Sequence, residues 1–233
     1  MPSLYDAIEY TTLPALGING SADAMVALVE QNSSQWFGLR AGRITASQAG
    51  TIVTTKGLPA KGKTRDGYIC GLVAEVLTGT IESGHSTLAM ERGTNLEPRA
   101  RSWYQFETGR EVKQVGFVYR DAEKACGCSP DGLLEDRMIE IKCPLRKNSV
   151  AFVLKMKKTG KIPTEHFAQV QFSLWVTGLS LCDFIVYNPE IALPSAIVTV
   201  EKDEKYHAAL DEFVPAVVAE IQEAVELLKE GAE

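Results

Sequence analysis

Apolar positions recur along the chain with two different periods, and the change from one to the other organises it. Before residue 110 the spacing is mostly helical. SADAMVALVEQ (21–31) predicts a helix with Ser21 as N-cap, and TASQAGTIV predicts a second one capped by Thr45 or Ser47. KGLPAKGKTRDG (56–67) has no apolar periodicity and predicts a basic loop, followed by an apolar helix, YICGLVAEVLTG, closed by Gly79. A longer helix is expected over about 86–107, kinked at Pro98 and stopped by Gly109. The period then falls to two. EVKQVGFVYR, KACGCSP, GLLE and RMIEIKC predict short strands broken by turn residues. Helices at 146–158 and 164–177, strands LCDFIVYN and AIVTVE, and a final amphipathic helix complete the pattern. That last helix, about 203–230, has Tyr206, Leu210, Phe213, Val217, Ile221, Val225 and Leu228 on one face. Strands bracketed by helices imply an α/β or α+β fold with a central mixed sheet.

Composition adds limits. With 233 residues, 45% of them hydrophobic, and no Pro/Gly/Ser-rich linker, a single domain over 1–233 is expected. The opening residues are acidic and no run of about 18 apolar residues occurs, so a membrane partner is not expected and a cytoplasmic protein is. Five cysteines without framework spacing predict free thiols, and Cys126, Cys128 and Cys143 lack structural-zinc spacing.

Net charge is −6, which at first disfavours a nucleic-acid partner. Its distribution reverses that. Residues 201–233 hold ten acids against three lysines, leaving residues 1–200 at a net +1. Within that body, 38–67 carries Arg40, Arg43, Lys56, Lys61, Lys63 and Arg65 against Asp66 alone. Residues 141–164 carry seven basic residues and no acid. Two such blocks suit a phosphate-tracking surface, or are simply solvated loops.

One stretch carries chemistry. In SPDGLLEDRMIEIKCP, Pro-Asp-Gly marks a turn and GLLE-D-RMIE a hairpin centred near Asp136. Leu134 opposite Met138 then sets Gly132 opposite Glu140 and brings Asp131 close to Glu140. The pleat sends Glu140 and Lys142 to one face and Ile139, Ile141 and Cys143 to an apolar one. Adjacent carboxylates repel unless a cation bridges them, and hard oxygens suit Mg²⁺ or Mn²⁺. With a lysine beside them, the set can hydrolyse a phosphodiester. The plain alternative is an exposed hairpin with a surface Glu–Lys pair.

SPDGL…ExKCP resembles the PD-(D/E)xK nuclease motif as it occurs in the phage lambda exonuclease (YqaJ-type viral recombinase) family. LRAGRITAS, RGTNLEPRA, AQVQFSLWVTG and VEKDEKY are similar to family signatures in the family's order, over about 34–215. The resemblance implies a restriction-endonuclease-like core. It makes Asp131, Glu140, Glu97 and the Ile141 carbonyl ligands of two Mg²⁺ ions (Mn²⁺ an alternative), Lys142 the catalytic lysine and Gln169 a further active-site residue. It assigns Arg40, Thr45 and Ser47 to a pocket for a 5′-phosphate, an assignment that a helix N-terminus starting at Thr45 or Ser47 supports by its dipole. Arg43, Lys56, Lys61, Lys63, Met90 and His166 are further candidates for contact with DNA.

The activity so implied is 5′→3′ exonucleolysis of double-stranded DNA, releasing 5′-mononucleotides and leaving 3′ overhangs. A ring-shaped homotrimer and a single-strand annealing recombinase as partner come with it, in the cytoplasm of a bacterial or phage-infected cell. Two alternatives of other kinds remain at this point: a sequence-specific endonuclease on the same core, and a non-catalytic DNA-end-binding module.

Overall fold

The structure, a computed structural model, describes residues 8–81, 88–191 and 195–230, with side chains from Glu91 onward in the helix that begins at Leu88. Nine strands fall into two sheets. The first has the order β1-β2-β4-β5-β3, formed by β1 (Tyr10–Thr12), β2 (Met25–Ala27), β3 (Ile44–Thr45), β4 (Phe117–Tyr119) and β5 (Cys126–Cys128). The second has the order β6-β7-β8-β9, formed by β6 (Gly132–Leu133), β7 (Met138–Lys142), β8 (Leu181–Val186) and β9 (Ala196–Glu201). In each sheet one pair is parallel, β3 with β5 and β7 with β8; the rest are antiparallel. Six α-helices surround them: α1 (Ser34–Arg40), α2 (Lys63–Thr78), α3 (Leu88–Thr108), α4 (Arg146–Thr159), α5 (Phe167–Thr177) and α6 (Glu204–Glu230).

Helix α5 sits at the centre because its sequence leaves it no exposed face. FAQVQFSLWVT is apolar nearly all round, and such a helix must be enclosed. It packs on β4, β5, β8, α6 and the 3₁₀ helix Ala46–Thr51. Its buried polar groups are satisfied: Gln171 bridges the Glu201 carbonyl and the Asp203 amide at 2.9 and 2.8 Å. The core joins both sheets, running from Val26 and Val118 to Met138, Cys182 and Phe184. A second cluster lies across β7, where Ala100 and Tyr104 of α3 pack on Ile139, Ile141, Cys143 and Ile185. Strand β7 is therefore covered on both faces, whereas its pattern predicted one apolar face only.

Local expectations fail where tertiary pairing outweighs propensity. Residues 21–31 form no helix: Met25–Ala27 lies between β1 and β4, with Val26 and Ala27 fully buried. Ser21 instead accepts the Asp23 amide in a turn. The helix expected from Thr45 or Ser47 is a six-residue 3₁₀ segment, Thr45 lies in β3, and its side chain makes no cap hydrogen bond. A segment this short has little dipole, so that argument for phosphate binding falls. Helix α2 begins at Lys63, inside the predicted loop, because Gly62 at φ 95° lets the chain turn into it. Gly79 and Gly109 stop α2 and α3 as expected, both at positive φ. The final helix buries the predicted face up to Val225, but Leu228 is 56% exposed.

The cysteines are free, four of them buried and Cys70 exposed. No helix among the described residues is long and apolar enough to cross a membrane.

Candidate active site

The hairpin that carries the acids is one residue tighter than its sequence suggested. Leu133 pairs with Met138 and Gly132 with Ile139, and the Leu134 amide donates to the Arg137 carbonyl at 2.8 Å, so Glu135 and Asp136 alone make the turn. The expected register, Leu134 opposite Met138, presumed a three-residue loop. The observed one sets Asp131 opposite Glu140 and strengthens their proximity. β6 ends at Gly132, where an added Cβ would collide with Val112 and Ile139. Beyond that point the edge of β7 is open, and the Asp131 carboxylate fills it by accepting the Ile141 amide at 2.5 Å. The Lys142 carbonyl accepts from Tyr187 after β8, so the Ile141 carbonyl points the opposite way, to the open edge beside Asp131.

Glu140 is 3% exposed, and one of its oxygens takes two donors: Lys142 Nζ at 2.7 Å and Gln169 Nε2 at 2.6 Å. Gln169 Oε1 in turn accepts from Lys142 Nζ at 3.3 Å. The three form a closed knot between β7 and α5. A buried charge without such partners would cost several kcal/mol, about 3–5 if one partner were removed.

On the other face of β7, Ala100 and Tyr104 pointing inward place Glu97 and Arg101 on the same side of α3. Arg101 NH2 donates to Glu97 at 2.5 Å, and its Nε donates to the Asp131 main-chain carbonyl at 2.9 Å. The Glu97 carboxylate thus rests on Arg101. Among the described residues no three His, Cys, Asp or Glu side chains converge as a ready metal cage.

Electrostatics show the crowding. Burial, then the charges of Glu140 and Glu97, hold the Asp131 carboxyl well above the usual carboxylate range. Burial raises Glu97 as well, against the pull of Arg101. For Lys142 burial works against the charge, but Glu140 and Asp131 outweigh it and its pKa rises. Mutually raised acids beside a retained cation are the signature of a site short of positive charge.

The remaining candidates separate. His166 is half-buried between Phe152 and Phe184, with ring centroids at 5.5 and 5.3 Å, and Phe184 is the β8 partner of Glu140. Burial, with Lys142 adding to it, pushes the imidazole down to about 4, and its Nε2 is buried with no hydrogen-bond partner. It is a neutral ring in the wall of the site. Arg40 ends α1 with its guanidinium 4.2 Å from the Trp36 ring centre. Burial lowers its pKa, while Tyr68, Glu75 and Cys128 lie close enough to act on it. Tyr68 also receives the Thr45 amide at 3.3 Å, and the Thr45 and Ser47 hydroxyls stand 3.3 Å apart. Trp36 Nε1 donates to Ser129 Oγ at 2.9 Å, two residues before Asp131. The Arg40–Thr45–Ser47 group and the acids are therefore linked through the Trp36–Ser129 contact.

Arg43 does not join that group. It lines a separate cavity of about 310 Å³ with Glu123, Lys124 and the α6 residues Ile221 and Val225. Lys56, Lys61 and Lys63 are exposed and distributed over the 54–62 loop and the start of α2. Met90 falls on α3, but its side chain lies outside the described residues.

Sequence reasoning missed Trp36, Tyr68, Arg92 and Arg101. A signal existed for Arg101, since Glu97 and Arg101 stand at i, i+4 on a predicted helix. Arg92 donates to the Cys143 carbonyl at 2.8 Å, next to Lys142. Nothing in local spacing announces that contact.

Comparison with known proteins places this geometry. Residues 35–180 match the YqaJ-like viral recombinase domain. The crystal structure of an alkaline exonuclease, LHK-Exo, from Laribacter hongkongensis superimposes with a TM-score of 0.74 at 35% identity, covering 86% of this chain and 98% of that one. The same protein in complex with dAMP matches at 36% identity and the same TM-score. A protein named ExoD of Escherichia coli is 37% identical over 65 residues, 28% of this chain and 75% of that one.

Proposed function

The chain belongs to the YqaJ-like viral recombinase domain family, and from that premise we propose that it is a DNA exonuclease that degrades duplex ends 5′→3′ with a divalent cation. It releases 5′-mononucleotides and leaves 3′ single-stranded overhangs. The single observation that carries this reading is the Glu140–Lys142–Gln169 knot beside the Asp131 carboxylate. The similarity to an alkaline exonuclease over nearly all of that protein's length supports it.

The donor set fits Mg²⁺ or Mn²⁺. Asp131, Glu140 and the Ile141 carbonyl are hard oxygens beside one open strand edge, and the raised pKa values of Asp131 and Glu97 are what a cation would relieve. Glu97 stands next to them on α3, held by Arg101 through one carboxylate oxygen, and would offer the other to a second ion. Held by Asp131, Glu140 and the Ile141 carbonyl, a divalent cation would supply Lewis-acid polarisation of the phosphate and a more acidic water.

The chain's own residues do the rest. Lys142 stays cationic and directs Nζ protons at the attacking water or the phosphate oxygen, while Glu140 and Gln169 fix its position. Arg40, Thr45 and Ser47 receive the terminal 5′-phosphate and set which nucleotide reaches the acids. His166, neutral at physiological pH, keeps that side of the site free of a competing positive charge. A homotrimer enclosing the duplex, a single-strand annealing recombinase as partner and a cytoplasmic location belong to the same proposal.

The test is a set of linear duplexes labelled at the 5′ or the 3′ end, beside a closed circle, with Mg²⁺ or EDTA. Early release of 5′ label as mononucleotide, only from linear DNA and only with Mg²⁺, is expected. Cutting of the circle would favour a sequence-specific endonuclease. End binding without product, unaffected by metal, would favour a non-catalytic end-binding module.

A further inference from the structure

Two arginines of α3 bracket Glu97, and each reaches a main-chain carbonyl at one end of the acid-bearing hairpin. Arg92, five residues before Glu97, donates to the Cys143 carbonyl at 2.8 Å and to Asn188 at 3.2 Å. Arg101, four residues after it, donates to the Asp131 carbonyl at 2.9 Å and to the Glu97 carboxylate at 2.5 Å. Gln114, with its amide oxygen facing inward, accepts from the same guanidinium. Arg101 is 9% exposed, so burying it has been costly in solvation and a fixed set of acceptors is what offsets that cost. A planar fork serves a carbonyl with Nε and a carboxylate with NH2 in one fixed geometry; an ammonium on a flexible stem has donors but no fixed fork.

We propose that Arg101 is a positioning residue that holds Glu97 of α3 and the Asp131 main chain in one frame, so that Glu97 stays within reach of a divalent cation bound at Asp131 and Glu140. The inference rests on the nuclease reading for its consequence in turnover, but not for its consequence in metal binding. Arg92 supports the same frame from the opposite end of the hairpin. Groups that orient metal ligands from behind commonly change metal affinity or activity 10- to 100-fold when replaced, and a loss of about that size is expected here.

The experiment compares wild type with Arg101→Gln, Arg101→Lys and, as a control, Arg99→Gln on the exposed side of the same helix. Three quantities are read: Mn²⁺ affinity without DNA, by titration against electron paramagnetic resonance of the free ion; kcat and KM on 5′-phosphorylated duplex; and thermal unfolding. Arg101→Gln and Arg101→Lys are each expected to weaken Mn²⁺ binding and lower kcat about 10- to 100-fold, with KM within about twofold. Arg99→Gln is expected to match wild type. Full recovery in Arg101→Lys would overturn the proposal, because charge alone would then suffice. Mn²⁺ affinity and kcat within twofold of wild type in Arg101→Gln would overturn it too. Should Arg101→Gln fail to unfold cooperatively, Arg101→Lys, which keeps the buried charge, decides by the same criteria. A wild type that binds Mn²⁺ but digests no DNA would remove the nuclease reading, and the Mn²⁺ titration would still decide the role of Arg101.

Discussion

Replacing Asp131 by Asn removes a charge and keeps the shape, and it should stabilise the protein in the absence of metal while disabling it. The Asn amide oxygen can still accept the Ile141 amide that Asp131 accepts at 2.5 Å. What disappears is an anion that burial, Glu140 and Glu97 all disfavour. Each tenfold weakening of the carboxyl's acidity on folding costs its charged form about 1.4 kcal/mol, so the variant is expected to be the more stable protein near pH 8. For a chain of this size each kcal/mol gained raises Tm by about 2–4 °C.

The sign has a pH signature. Because the folded-state pKa is raised, the folded protein holds the proton more tightly, and wild-type stability declines as pH rises from the unfolded pKa through the folded one. The advantage of Asp131→Asn should therefore be full above the folded pKa and vanish below the unfolded value. Calorimetry in EDTA between pH 4 and pH 9 measures it. Added Mg²⁺ should then stabilise the wild type by about 2.7 kcal/mol at 100 times Kd, raising its Tm, and have little effect on the variant. A variant less stable than wild type in EDTA at pH 8 would refute the reasoning, since it would mean that the Asp131 charge is stabilising without metal.

Other replacements test neighbouring parts of the account. Tyr104→Phe removes a 2.6 Å hydrogen bond to Asp183, which is 4% exposed and also served by Arg137 and Thr199; a loss of about 1–3 kcal/mol is expected in urea unfolding. Gly132→Ala forces a Cβ into Val112 and Ile139 and should cost about 1–3 kcal/mol by the same assay, with activity falling as β6 shifts. Arg40→Gln removes a charge-assisted donor worth about 1.5–3 kcal/mol, so the preference for 5′-phosphate over 5′-hydroxyl ends should shrink about 10-fold or more in competition digests.

The strands from 117 onward and the helices after 146 were legible because their periods are unambiguous and their stops are glycines. The same holds for the acid-bearing hairpin, where Pro-Asp-Gly and the alternation of MIEIK leave few alternatives. Its register was not legible, because a two-residue and a three-residue turn fit the same sequence, and only the Leu134–Arg137 bond distinguishes them. The strand at 25–27 was missed because its partners lie far away, one of them at 117–119. The Glu140–Lys142 pair was visible as a same-face pair, but Gln169, 29 positions from Glu140, was named only by the resemblance, and its bonds to both appear only in the fold. The main-chain contacts of Arg92 and Arg101 were hidden for the same reason: their acceptors are carbonyls 51 and 30 residues away, and a carbonyl carries no mark in the sequence.

The most direct test of the central claim compares wild type with Lys142→Ala on 5′-phosphorylated linear duplex in Mg²⁺, reading acid-soluble nucleotide against end binding. Wild type should release mononucleotides. Lys142→Ala should do so at least about 100-fold more slowly while still binding the ends, as expected when a preorganised cation is removed from the reacting phosphate. Equal digestion by the two proteins, or none by wild type, would contradict the account.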